Sequence, residues 1–302
     1  MRTDGDTWDI VSSVGATALG VATARALEAE QPDALVRDEY AALFVAASDH
    51  EGMNRRLGDP AAHGESSLMS GRIGLRTKFY DDHFLAATAD GVRQAVILAA
   101  GLDARAYRLA WPSGAVVFEL DQAKVLEFKR QVLDEHGAVP AVDRREVAVD
   151  LRDDWPAALL DAGFDPAAPT AWTAEGLLPY LPGAAQDSLF ARIETLSAPG
   201  SSLALDALNS DADLDRIAEF QAEHMRNTPM AVVDLRGLVY TDERTEPETW
   251  FAGHGWTANS LSVPDLSIRY DRALPPMPEP FEQMLLSSRF VTVAKPRTAA
   301  TA

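Results

Sequence analysis

Ala95-Val96-Ile97-Leu98-Ala99-Ala100-Gly101-Leu102-Asp103 joins a short apolar run to a tight turn ending in a carboxylate. Five consecutive apolar residues of mixed β-branched and small type, closed by a glycine turn, read as a strand buried on both faces. The same grammar recurs downstream. Ala115-Val116-Val117-Phe118-Glu119-Leu120 ends in Asp121 and leads into a helix from about Gln122 to His136. Val147-Ala148-Val149 ends in Asp150-Leu151. Thr170-Ala171-Trp172-Thr173-Ala174 ends at Glu175, and Ser202-Leu203-Ala204-Leu205-Asp206 follows a helical stretch closed by Pro199-Gly200. Strands spaced this way, with helices between, form βαβ units and a parallel sheet. The expected fold is therefore α/β, doubly wound.

The flanks read differently. Residues 1–90 form a helical N-terminal extension: residues 12–28 are rich in Ala and Leu, and Asp33 is placed to cap a helix over residues 34–47. Residues 51–74 are rich in Gly, Ser and polar groups and read as a loop or lid, followed by a segment from Leu75 to Thr88. The α/β core is expected over residues 91–208. An irregular insert, 209–286, carries Met225, Met230, Trp250, Trp256 and Tyr270 and reads as a substrate cap. Residues 287–302 supply a last strand, Arg289-Phe290-Val291-Thr292-Val293-Ala294, on the opposite edge of the sheet, and an Ala/Thr tail.

Composition excludes several chemistries. The 302 residues carry a formal net charge of −19, which repels phosphate backbones and anionic lipid and argues against nucleic-acid or membrane partners. There are no cysteines, hence no thiolate nucleophile, disulfide or Cys-ligated metal. No apolar run approaches the roughly 20 residues of a membrane span. The acidic start, Met1-Arg2-Thr3-Asp4-Gly5-Asp6, lacks a signal-peptide pattern, so a cytoplasmic location is expected. Phosphate loops, H-E-x-x-H pairs and G-x-S-x-G elbows are absent, and the six histidines show no ligand spacing, so no metal is expected.

In open parallel sheets, ligands bind at the carboxyl ends of the strands, near the point where strand order reverses. Four strand ends carry Gly101/Asp103, Asp121, Asp150 and Glu175. Any one acidic group after a strand could serve only as a helix cap; four along one edge suggest an adenosyl or dinucleotide cofactor. Asp121 stands where a carboxylate can accept hydrogen bonds from ribose hydroxyls. The single-glycine turn Ala99-Ala100-Gly101-Leu102-Asp103 lacks the repeated glycines that cradle a pyrophosphate. It favours a nucleoside without phosphates over NAD, leaving an NAD-dependent oxidoreductase as the alternative.

These segments resemble the actinobacterial branch of the leucine carboxyl methyltransferase family. The likeness is carried by Val14-Gly15-Ala16-Thr17-Ala18-Leu19, Arg76-Thr77-Lys78-Phe79-Tyr80-Asp81-Asp82, Gly91-Val92-Arg93-Gln94 and Leu98-Ala99-Ala100-Gly101-Leu102-Asp103-Ala104-Arg105-Ala106-Tyr107-Arg108-Leu109. It continues through Phe118-Glu119-Leu120-Asp121-Gln122, Val149-Asp150-Leu151-Arg152 and Ala174-Glu175-Gly176-Leu177-Leu178-Pro179-Tyr180-Leu181. The resemblance implies a Rossmann-like class I methyltransferase using S-adenosyl-L-methionine. By it, Arg76 would pair with the methionine carboxylate and Gly101, beside Ala100 and Asp103, would let the backbone pass close to the cofactor. Asp121, next to Gln122, would hold the ribose; Asp150 would accept from the adenine amino group, with Leu151 beside the ring. Glu175 would lie near the methionine amino group, and Tyr180 and Arg76 near the acceptor. Family members often have Gly where this chain has Ala99, and Pro where it has Ala123.

Methyl transfer from a sulfonium is a displacement in which alignment and desolvation supply much of the rate. A carboxylate acceptor is already ionised and needs no base; a hydroxyl would gain from one such as His224 or His254. The expected activity is O-methylation of a small, largely apolar acceptor, through a carboxylate more than a hydroxyl. Arg72, Arg226 and Arg244 are unassigned cations that could meet an anionic acceptor. A catalytically silent adenosyl-binding protein is the second alternative.

Overall fold

A computed structural model describes residues 13–58, 63–208, 235–274 and 288–297, with positions 215, 216, 219, 223, 279, 282, 283 and 286 between them. Four helices precede the sheet: α1 (Ser13–Ala29), α2 (Ala41–Ala47), α3 (Glu51–Gly58) and α4 (His63–Ala89). The core alternates β1 (Gln94–Leu98), α5 (Arg105–Arg108), β2 (Val116–Asp121), α6 (Ala123–Glu135), β3 (Asp143–Ala148), α7 (Trp155–Asp161), β4 (Thr170–Ala174), α8 (Gly183–Leu196) and β5 (Ser202–Leu208). Then come α9 (Leu235–Leu238), α10 (Pro247–Gly253), β6 (Thr257–Ser262), α11 (Val263–Arg269) and β7 (Ser288–Ala294).

The strands form one sheet in the order β3-β2-β1-β4-β5-β7-β6. β1 pairs in parallel with β2 on one side and with β4 on the other, so the order reverses between β1 and β4, which opens a crevice at their carboxyl ends. Every residue of β1 and of β4 is buried, which is why both read as unbroken apolar runs. Their side chains still alternate between the two faces. Val96, Leu98, Phe118, Leu120, Trp172, Leu203 and Leu205 pack with Trp155 and Leu159 of α7 and Phe190 and Ile193 of α8. Ala95, Ile97, Val117 and Ala171 face Leu19, Phe44, Phe84 and Leu133 from the helices on the opposite side. The sheet is doubly wound and Rossmann-like.

Four expectations change. Residues 51–74 are not a loop: their described backbone is helical, in α3 and the first half of α4. Gly71 and Gly74 mark packing rather than a turn. A Cβ on Gly71 would meet Leu274 at 3.1 Å, and one on Gly74 would meet the Glu28 carboxylate at 2.6 Å. The helix placed over 34–47 starts only at Ala41, because Asp38, not Asp33, accepts from the Tyr40 and Ala41 amides at 3.1 and 3.2 Å. Asp38 is itself held by Arg25 at 2.9 Å. The last strand is not an edge. β7 runs antiparallel between β5 and β6, and β6, from the insert, forms the edge. Finally, Trp250 and Trp256 of the insert pack with Phe190 and Phe251 against the sheet. Met225 and Met230 lie outside the described residues.

α4 climbs one face of the sheet. Its last turns lie beside the amino end of β1, where Val92 bonds back to Ala87, and residues 72–81 reach the carboxyl edge. Along it His83 is buried next to Phe84, and burial pushes its ring down to about 4, against the pull of the Trp172 backbone and with help from the Arg105 charge. A folded value below the ordinary 6.5 means the neutral ring is favoured by folding. That stability is present above pH 6.5 and lost as pH falls toward 4, amounting to about 3 kcal/mol. Urea midpoints at pH 7 and pH 4.5 should show this loss in the native chain and a flatter profile in His83→Phe. An equal slope in both would remove His83 as the cause.

Candidate active site

The crevice between β1 and β4 collects the acidic strand ends. After β1 the chain turns through Ala99 at φ +52° and Gly101 at φ +49°. For Ala99 this left-handed geometry costs about 1–2 kcal/mol, the physical reason a glycine suits that position. A Cβ on Gly101 would meet nothing nearer than the Ala99 carbonyl at 3.9 Å, so its outer side is open. The Gly101 amide donates to Asp121 Oδ2 at 2.7 Å, and the Gln122 amide donates to Oδ1 at 2.7 Å. Burial raises the Asp121 carboxyl above its usual range despite these two donors. Gln122 Nε2 then donates to Asp150 Oδ2 at 3.0 Å, linking the ends of β2 and β3. Asp150 is held by Arg152, whose side-chain hydrogen bonds keep it below the usual carboxylate range. Leu151, half-buried, packs against the apolar core beside it. Ala100 is buried, its amide bonded to the Leu120 carbonyl at 2.9 Å.

Asp103 does not face the crevice as an open carboxylate. It grips the Arg105 guanidinium and accepts from the Arg105 amide at 2.7 Å. Burial pushes its carboxyl up, and Arg105, Lys129 and Arg108 more than reverse this, leaving it below its usual range.

Glu175, after β4, lies between two guanidinium groups: Arg76 Nε at 3.0 Å from Oε1 and Arg105 Nη1 at 2.7 Å from Oε2. Arg76 also stands 4.0 Å from Asp206 Oδ2 at the end of β5. Burial lowers the Arg76 value, but Asp206 and Glu175 outweigh it, so the group is held firmly cationic. Asp206 in turn accepts from Tyr80 Oη at 2.7 Å and the Gly176 amide at 2.6 Å. Tyr180 sits half-buried in a 3₁₀ turn (Leu178–Tyr180), within electrostatic reach of Arg76. The structure thus brings Arg76, Glu175 and Tyr180 together on one side of the crevice and Gly101, Asp121, Gln122 and Asp150 on the other.

Sequence reasoning overlooked Arg105, Tyr80 and Asp206 as site groups. For Asp206 the signal was available, since it closes an apolar strand just as Asp121 does. Arg105 carried none, because its partners come from three separate segments. Of the unassigned cations, Arg244 is consumed by structure: its guanidinium donates to the carbonyls of Leu178, Leu181 and Tyr240, tying the insert to the Tyr180 turn. His254 stacks on Trp250 at 3.7 Å just before β6, whose Thr257 pairs with Ala294 at the amino end of the sheet, away from the crevice. His224 and Arg226 lie outside the described residues. Among the described residues no trio of His, Asp or Glu side chains could hold a metal, and no helix is long and apolar enough to cross a membrane.

The family model for leucine carboxyl methyltransferase matches residues 18–194, more than half of the chain and all of the crevice-forming strands through β4. The chain belongs to the leucine carboxyl methyltransferase family. A Rhodococcus jostii (strain RHA1) protein named as an S-adenosyl-L-methionine-dependent methyltransferase is 53% identical over 295 residues, covering 98% of this chain and 100% of the relative. A Mycobacteroides abscessus protein of the same description is 50% identical over 297 residues, covering 98% and 96%. In fold, a DUF574 family protein from Streptomyces avermitilis MA-4680 superposes with a TM-score of 0.52 at 16% identity, covering 84% of this chain and 96% of that one. The protein is an S-adenosyl-L-methionine-dependent methyltransferase with a class I, Rossmann-like fold.

The crevice suits that cofactor's chemistry. Nucleoside hydroxyls and an ammonium need carboxylate acceptors, a methionine carboxylate needs a guanidinium, and an unphosphorylated ligand needs no nest of amides. The open side of Gly101 and the pre-oriented Asp121 carboxylate match this. Asp121→Ala should weaken S-adenosylhomocysteine binding by about 1–3 kcal/mol in calorimetry; unchanged affinity would remove Asp121 from the ribose role. Gly176 gives a second test. It sits at φ +63°, and a Cβ there would overlap Arg76 Nη2 and stand 3.3 Å from Cζ. Gly176→Ala should displace the guanidinium and weaken cofactor binding about tenfold or more, while Gly114→Ala, also at positive φ but in open space, should not. Equal effects of the two would show backbone strain, not Arg76, to be responsible.

Proposed function

We propose that this methyltransferase acts on oxygen, on a carboxylate in preference to a hydroxyl of a small, largely apolar acceptor. The observation that carries the reading is Arg72. It lies one helical turn before Arg76 on α4, half-buried at the carboxyl edge, where its Nη2 donates to Ser288 Oγ at 3.0 Å. Among the described residues no carboxylate lies within ion-pair distance of it. Burial and the neighbouring Arg76 charge, partly offset by Asp206, push it down to about 10. A guanidinium that stays charged, is repelled by another and, among the described residues, is hydrogen-bonded to a hydroxyl with no carboxylate in ion-pair contact is stabilised by an arriving anion. An acceptor carboxylate supplies one and is already ionised, so no base is needed.

Two of the described histidines fit the same choice. A hydroxyl acceptor would gain from a base with a value near neutrality. His83 is held near 4, and His254 stands at the other end of the sheet.

When bound, S-adenosyl-L-methionine supplies an electrophilic methyl group on a sulfonium. The chain's own part is to hold and align. Asp121 and Gln122 receive the ribose, and Asp150 with Leu151 the adenine. Glu175 and Arg76 take the amino-acid end, with Gly101 allowing close approach and Asp103 bracing the loop. Tyr180, in the turn clamped by Arg244, stands beside Arg76 on the acceptor side, and the insert from residue 235 onward completes that wall. The overall charge of −19 is unsuited to a nucleic-acid or membrane partner, and a cysteine-free chain suits the cytoplasm.

A panel of apolar carboxylic acids, phenols and amines with methyl-labelled cofactor tests the reading. Base-labile label from the carboxylic acids is expected. Arg72→Ala should raise KM for those acids about 10- to 100-fold, the loss of a charge-assisted hydrogen bond, and change cofactor affinity little. Transfer to nitrogen or carbon alone would overturn the proposal.

A further inference from the structure

Arg105 is a nearly fully enclosed charge that the cofactor and acceptor roles leave unused: 2% of the residue is exposed. It opens α5, directly after the Gly101-to-Ala104 turn, and joins three segments that are far apart in sequence. Nε donates to Asp81 Oδ1 of α4 at 2.7 Å. Nη1 donates to Glu175 Oε2, after β4, at 2.7 Å and also meets Asp103 Oδ2 in its own turn. Nη2 lies 3.4 Å from the Thr77 carbonyl, and the guanidinium stands 5.5 Å from the Tyr80 ring centroid. The turn is braced from below as well, since Lys129 Nζ donates to the Asp103 carbonyl at 3.0 Å and pairs with the buried Glu119 at 2.7 Å. Arg108 shares Asp81, at 2.6 Å.

Stability alone does not require this arrangement. Arg105 has a full ion pair in Asp103, two residues away, and Asp81 has one in Arg108. The contact that neither needs is the one to Glu175, and it crosses the crevice from the β1 side to the β4 side. Without it, Glu175 would keep Arg76 on Oε1 and be free to turn about that one anchor. A carboxylate bound at both oxygens by guanidinium groups on different segments has one orientation.

We propose that Arg105 is a positioning residue that fixes Glu175 for the amino-acid end of the cofactor and ties that end of the crevice to α4. The proposal rests on the reading that Glu175 serves the methionine amino group. It has a consequence that a purely structural role lacks: loss of Arg105 should be felt by ligands that carry the amino acid and not by those that stop at the nucleoside.

Calorimetric titration of the full chain with S-adenosylhomocysteine and with 5′-methylthioadenosine, which has no amino-acid portion, tests this. Arg105→Gln should weaken S-adenosylhomocysteine binding about tenfold or more and methylthioadenosine binding less than about threefold. Arg105→Lys, which keeps the charge but not the fork, should fall between it and the native chain. Glu175→Gln is the reference and should show the same selectivity. Where Arg105→Gln does not fold, Asp81→Asn, which weakens the Nε contact and the Arg108 pair while leaving the Nη1 contacts to Glu175 and Asp103, should give a smaller loss of the same kind. If Glu175→Gln discriminates between the two ligands and the Arg105 and Asp81 variants do not, Glu175 keeps its role and the proposal is overturned. If Glu175→Gln weakens both ligands equally or neither, the reading of Glu175 fails and the proposal falls with it.

Discussion

A parallel sheet that ends its strands in carboxylates must find positive charge for them. Asp103, Glu175 and Asp206 crowd the crevice end of β1, β4 and β5, with Asp81 of α4 beside them, all partly or wholly out of water. Two like charges about 4 Å apart repel by about 4 kcal/mol near a protein surface. Arg76, Arg105 and Arg108 answer this repulsion by interleaving, each touching a carboxylate from another segment. Two of the three lie on the short helix after β1 and one on α4. The helices before the sheet are therefore part of the site's electrostatics and not a separable appendage.

That dependence explains which features of the fold were readable. β1 and β4 are buried on both faces, so their sequences are unbroken apolar runs that hold whatever their neighbours do. Asp121, Asp150 and Glu175 were readable because a carboxylate ending such a run is an anomaly within a few residues. β6 was not readable. Thr257-Ala258-Asn259-Ser260-Leu261-Ser262 is largely exposed along an edge, and an edge strand needs only its backbone to pair with β7. Nothing in its side chains marks it. The helical character of residues 51–74 failed to show for the opposite reason. Gly71 and Gly74 look like breaks, yet each exists to let Leu274 or Glu28 come close, which is a property of the partner's position.

Arg244 and Arg72 make the same point about cations. In sequence they are equivalent, isolated arginines near the candidate crevice. In three dimensions Arg244 faces three carbonyls at the end of a turn and spends its donors there, whereas Arg72 meets a hydroxyl and another arginine. Among the described residues, Arg72 finds fewer acceptors than Arg244 does. Composition could not separate them, because what differs is the number of acceptors each finds.

The two halves of the crevice are held by different kinds of contact. On the β2–β3 side, Asp121 and Asp150 are positioned by backbone amides, one glutamine and Arg152, short-range contacts that follow from the strand ends themselves. On the β4–β5 side, Glu175 and Asp206 are positioned by side chains from α4 and α5, which depend on the docking of the N-terminal helices. The β2–β3 side of the crevice is thus set by the sheet itself, whereas the β4–β5 side answers to α4. Since α4 also carries Arg72, and Tyr270 of the α11 region bonds to its Asp82 while Arg272 bonds to Glu28 of α1, α4 connects the β4–β5 side of the crevice with the insert. Changes in the insert can therefore reach Arg76 and Glu175 through α4 while leaving Asp121 and Asp150 in place.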